Sequence, residues 1–235
     1  METLLTKAIQ DSIINYANTS IDGARSTKKL KALHGQIASD ISAHGLYTMS
    51  QGYGCDREYS VPGFLKHKNG DITIFKDKTS VDENHVLGIV EFKIFMASIG
   101  KNFMNYIENM IGDCCNIQAN GIPEYNMIII PDISPIYDKN KNITKIEHNI
   151  NDNHINPYRK MMTFMNGQYC KPAGLCIIPA NIWIYSANGI ILNPQVSILD
   201  IDAMPLSDEN MEFMKSVNDY HQFITHICDT LTTWK

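Results

Sequence analysis

A chain of 235 residues, 44% hydrophobic and 19% charged, is long enough to bury a sizeable core and has the composition of a globular protein, not a disordered tail. Its formal net charge of −5 gives no overall attraction to nucleic acid, so such a partner would have to be met by local charge in a groove. No apolar run approaches the ~20 residues of a membrane span, the opening "METLLTKAIQDSIINYA" lacks a signal-peptide pattern, and a cytoplasmic location is expected.

In chain order, Leu4, Leu5, Ala8, Ile9, Ile13 and Tyr16 recur at helical spacing and predict a helix over 3–18. Leu30, Leu33, Ile37 and Ile41, with a stop near Gly45, predict a second over 28–44. Strands are predicted over 57–65, 71–76 and 86–95, the first two separated by the turn-forming "HKNG". An amphipathic helix follows over 99–118, with Ile99, Phe103, Ile107, Met110 and Ile111 toward the core. "EYNMIIIPD", 124–132, has the continuous apolar run of a fully buried strand. A polar loop over 133–156, a helix near 156–167, strands at 174–179 and 181–186, and a helix over 207–231 opened by Ser207 complete the order. Such an order packs as an α/β fold, a mixed central sheet flanked by helices, and no shift in composition marks a second domain.

Six cysteines (55, 114, 115, 170, 176 and 228) form no CxxC pair and no disulfide-like pattern, so reduced, mostly buried thiols are expected. Cys170 and Cys176 with His148 or His154 are the nearest approach to a zinc set. No glycine-rich phosphate loop occurs. Lysines cluster at 28, 29 and 31, at 66 and 68, and at 139, 141 and 145, where solvated loops would account for them equally well.

The strand "VLGIVEFKIF" poses the chemical question. Val90, Phe92 and Ile94 share one face, while Glu91 and Lys93 share the other. A half-solvated strand would explain the pair, and a structural ion pair within the sheet would contribute little after desolvation. A third explanation uses Asp71, which opens the preceding strand and would meet Glu91 across a hairpin. Two carboxylates from neighbouring strands can hold a hard divalent cation such as Mg²⁺ with water completing its shell. A lysine two residues on, facing the same way, can position an attacking water or stabilise charge on a phosphate.

Element order and the D…ExK pattern resemble the PD-(D/E)xK nuclease fold. The stretches "VPGFLKHKNGDITIF", "GIVEFK" and "SIGKNFMNYIENMIGDCCNI" further resemble the XhoI-type family of Type II restriction endonucleases, with Pro62, Gly63, Asp71, Glu91, Lys93, Gly100, Asn102, Phe103, Asn105, Glu108, Ile111 and Gly112 in register. The similarity covers about 58–118. Tyr106 stands where the family has a helix arginine, and Asn109 where it has a second glutamate. The resemblance implies Mg²⁺-dependent cleavage of double-stranded DNA at a short palindromic site by a homodimer. It also implies a single nuclease domain over 1–235 with a catalytic core over about 28–180, and a methyltransferase that protects the host.

Asp71 and Glu91 are then expected to hold the metal, Lys93 to serve the attacking water, and Glu58 to assist as a further acid. Lys66 and Lys68 are expected at phosphates. Asn102, Asn105 and Asn109 fall near one helix face and are expected to contact DNA, although a polar solvent face would place them there too. Two competing expectations keep the fold but alter its use. One is a structure-specific repair, recombination or phage nuclease; the other is a non-catalytic module that binds DNA or protein.

Overall fold

In a computed structural model, residues 2–17, 30–140, 142–164, 171–187 and 189–233 are described. Lys28, Lys29, Lys141 and Cys170, singled out above, lie outside these residues, as does the end of the helix expected near 156–167. Six helices are present among the described residues: α1 (Glu2–Ala17), α2 (Lys31–Ser42), α3 (Ile99–Gln118), α4 (Asp152–Phe164), α5 (Asp208–Val217) and α6 (Tyr220–Thr233). The strands run β1 (Tyr47–Gln51), β2 (Gly54–Cys55), β3 (Tyr59–Val61), β4 (Lys68–Gly70), β5 (Ile72–Phe75), β6 (Gly88–Ile94), β7 (Glu124–Pro131), β8 (Ile133–Tyr137), β9 (Ile143–His148), β10 (Gly174–Ala180), β11 (Trp183–Ser186) and β12 (Gly189–Leu192).

The central sheet has the order β10-β7-β6-β5-β1-β2. β10, β7 and β6 are mutually parallel, whereas β5 is antiparallel to both β6 and β1. The expected mixed α/β fold is therefore present. Its central parallel strands are largely buried on both faces because helices cover both. On one face, Leu33, Ile37 and Ile41 of α2 and Ile224 and Ile227 of α6 pack with Val90, Phe92 and Met127. On the other, Phe103 and Ile107 of α3, Tyr158 of α4 and Met214 of α5 pack with Ile128, Ile130 and Ile177. Burying each such side chain contributes roughly 1.5–3 kcal/mol, so both layers are held mainly by apolar contact. No helix among the described residues is long and apolar enough to cross a membrane.

Four expected elements change. The neighbour of β5 is β1, not 57–65. β1 alternates apolar and polar, yet Thr48 and Ser50 are buried. The Thr48 hydroxyl donates to the Ala38 carbonyl at 3.1 Å and that of Ser50 to the Asp71 carbonyl at 2.8 Å, which satisfies both groups inside. Within 57–65 only β3 is extended, and it pairs with β4, so "HKNG" is largely strand and not turn. The polar stretch 133–156 contains the β8–β9 ribbon, whose turn is closed by Asp138 Oδ1 accepting from the amides of Asn140 and Asn142. The C-terminal helix is broken at Asn218, and Asp219 caps α6 by accepting from the Gln222 amide.

Candidate active site

Register positions the acids. β5 and β6 pair Ile72 with Val90 and Thr73 with Ile89, so the next step outward sets Asp71 directly opposite Glu91. Opposed residues on antiparallel strands put their side chains on one face at close range. Asp71 Oδ2 accepts from the Phe92 amide at 2.7 Å, which fixes the carboxylate over β6 and leaves its other oxygen for a further partner. In the parallel β6–β7 pair, Glu91 lies beside Asn126 and Lys93 beside Ile128, so Glu124 and Asn126 share this face. Tyr106, Asn109, Met110 and Asp113, spaced by three and four residues along α3, lie over it. Between sheet and helix is a cleft of about 120 Å³ lined by both β6 charges, Glu124 and these helix residues.

The connection into α3 is tight. Ser98, immediately before the helix, has φ 52°, a left-handed conformation that costs roughly 1–2 kcal/mol outside glycine. Its amide donates to the Pro135 carbonyl at 3.3 Å, tying the start of α3 to β8.

The cleft is rich in charge. Lys68 reaches in from β4 and donates to Glu91 Oε2 at 3.1 Å and to Asp113 Oδ2 at 2.6 Å. Glu91 Oε1 is buried without a hydrogen-bond partner among the described residues. Glu124 is fully buried; its Oε1 accepts from Asn126 Nδ2 at 3.1 Å and the Cys114 thiol at 3.5 Å, while its Oε2 has no partner among the described residues. Lys93 carries its ammonium 4.1 Å from the centre of the Tyr106 ring and 5.9 Å from that of Phe95. A cation in this position is attracted by the negative face of the ring.

These contacts set the protonation of the site. Burial raises the Asp71 carboxyl to about 6, against the lowering effects of the Phe92 amide, Lys68 and Lys93. Burial and the neighbouring Asp71 push Glu91 well above the ordinary carboxylate range, opposed by Lys68. Burial likewise raises Glu124 to about 7. Burial disfavours the Lys68 charge, but Glu91 and Asp113 outweigh it and hold the ammonium above its ordinary value. Titratable groups so strongly perturbed and gathered in a cleft are a frequent mark of functional sites.

The fold thus brings Asp71, Glu91 and Lys93 together. Asn109 lines the same cleft; Asn102 and Asn105 are exposed on α3 away from it. Lys66 is exposed, but Lys68, expected at a phosphate, is turned inward and engaged by two acids. Glu58 is not brought into the cleft: it lines a separate groove with Cys55, Arg57 and Asn69 and acts electrostatically on His34. His34 meets Phe92 edge-on, on the face of β6 opposite Glu91.

Asp113 and Glu124 are not singled out by the sequence pattern above. Asp113 completes the helical stripe 106-109-113, and Glu124 heads the buried strand beside the ExK strand, so both left a signal in spacing. No family model, curated protein or solved structure matches the chain. What the site can do follows from its own geometry.

The donors in the cleft are of the kind a hard divalent cation takes. The groups offered are hard oxygens, and one of them, Glu91 Oε1, is buried without a partner. Among the described residues no three His, Cys, Asp or Glu side chains converge closely enough to enclose a metal by themselves. A metal at this site would therefore be held by no more than two carboxylates and would keep several waters, the manner in which Mg²⁺ is commonly bound.

Proposed function

We propose that the protein is a Mg²⁺-dependent endodeoxyribonuclease of restriction type, hydrolysing phosphodiester bonds in double-stranded DNA at a short palindromic site. The observation that carries this reading is the opposition of Asp71 and Glu91 across β5 and β6, with Lys93 on the same face. Asp71 and Glu91 would hold the ion, which when bound supplies positive charge for the phosphate and a water of lowered pKa. Lys93, held over Tyr106, contributes a fixed cation toward the charge that grows on the phosphate oxygens. In the reaction the water oxygen would bond to phosphorus as the bond to the 3′ oxygen breaks, the water giving up one proton and the 3′ oxygen taking one from solvent, which leaves 5′-phosphate and 3′-hydroxyl ends.

A palindromic target is met most simply by a two-fold dimer, each subunit cutting one strand. A companion methyltransferase acting on the same site would protect the host. The test is incubation with unmethylated phage DNA in Mg²⁺, followed by sequencing of the fragment ends. Fixed ends at one short palindrome are expected. Cleavage at branched or damaged DNA without fixed ends would make the protein a structure-specific nuclease, and binding without cleavage a non-catalytic module.

A further inference from the structure

The placement of Lys68 is built into the fold. Its strand, β4, is seated against the sheet at Gly70, where an added Cβ would stand 3.0 Å from Thr73 Oγ1 and 3.2 Å from Ile89 Cγ2. The loop before β4 is fastened to α3, the helix that carries Asp113. Asn116 Oδ1 accepts from the Leu65 amide at 2.8 Å and the Lys66 amide at 3.2 Å, and its Nδ2 donates to the Lys66 carbonyl at 2.9 Å. Only glycine fits at 63, since a Cβ there would come within 2.2 Å of Asn116 Nδ2. Two glycines and a buried asparagine thus hold the ribbon so that one ammonium enters the cleft, its side chain only 16% exposed.

What the ammonium meets is a set of carboxylates. Glu91 Oε2 and Asp113 Oδ2 bind it directly, and the Glu124 carboxylate, fully buried and with Oε2 unpartnered among the described residues, lies within its electrostatic reach. Glu91 Oε1, on the other side of the same carboxylate, is left without a partner. The two oxygens of Glu91 thus meet different surroundings, one bound to an ammonium and the other unpartnered among the described residues. Paired-metal nucleases hold two ions about 4 Å apart, sharing such a bridging acid.

We propose that Lys68 permanently fills a second cation position of this site, between Glu91 and Asp113, and thereby restricts the protein to one divalent ion, between Asp71 and Glu91. The inference rests on the reading of those two acids as metal holders.

The experiment is a count of Mn²⁺ bound to the full chain without DNA, by electron paramagnetic resonance. Wild type is expected to bind one isolated ion, lost in Asp71→Asn. Lys68→Met is expected to bind two, with the line shape of a spin-coupled pair, and Lys68→Met with Asp113→Asn to return to one. Two ions in the wild type, or one in Lys68→Met, would overturn the role given to Lys68 while leaving the two-acid reading intact. No ion in either would overturn both. Should Lys68→Met not fold, the wild type decides alone: an isolated ion supports the proposal, a coupled pair refutes it.

Discussion

The two faces of β6 treat buried titratable groups in opposite ways. On the face covered by α1, α2 and α6, His34 is fully buried among apolar side chains. Burial pushes its pKa down to about 4, partly offset by Glu58, so the ring stays neutral at ordinary pH. On the face under α3, acids and lysines gather around one cleft and several acids are pushed up. A closed layer disposes of a lone ionisable group by neutralising it. A cluster of acids beside two lysines retains charge, at a cost in stability that packing elsewhere must offset. That difference supports the proposal that the α3 side is the working side.

Substitutions on β6 should separate the faces most sharply. Glu91→Gln or Asp71→Asn should lower Mg²⁺-dependent DNA cleavage on the order of 10³-fold or more, with the circular dichroism spectrum unchanged. Phe92→Ala, one residue along but on the closed face, should instead cost about 3–5 kcal/mol of stability in urea unfolding. Cleavage that survives Glu91→Gln would remove the distinction between the faces.

Smaller effects refine it. Asn116→Ala should cost about 1–3 kcal/mol and speed amide exchange at Leu65 and Lys66, because it strips the loop of its anchor. Tyr106→Leu should reduce cleavage about tenfold by loosening Lys93, a loss of the size of one cation–π contact.

The faces should also respond to pH with opposite sign. His34 binds fewer protons folded than unfolded between its ordinary 6.5 and about 4, so its contribution to stability is lost as pH falls through that window. Asp71, raised from 3.8 to about 6, and Glu124, raised from 4.5 to about 7, bind more protons folded, so their contribution is lost as pH rises through those values. A divalent ion pairs with the ionised acids and should relieve only the second effect. The gain in Tm on adding Mg²⁺ should therefore grow from pH 5 to pH 8, by on the order of 5 °C, measured by thermal scans.

The sequence spelled out the part of the site that obeys strand periodicity. Glu91 and Lys93 alternate with Val90 and Phe92, and α3 was legible to its ends from the spacing of Ile99, Phe103, Ile107 and Met110. Features created by tertiary contact were harder to read. β1 hides behind polar residues whose partners are remote in sequence. Lys68 reads in sequence as a phosphate contact, because its turn into the cleft depends on Gly63, Gly70 and the distant Asn116. The β8–β9 ribbon was masked by its lysines, asparagines and Pro135, a residue tolerated in a two-stranded ribbon. The break at Asn218 was present as a capping signal, Asp219 before Tyr220, within an otherwise continuous apolar stripe.

The pairing of Asp71 with Glu91 is tested most directly by the anomalous scattering of crystals soaked in Mn²⁺. A single peak within about 2.5 Å of an oxygen from each carboxylate is the predicted result. Full occupancy elsewhere, with both acids untouched, would contradict it.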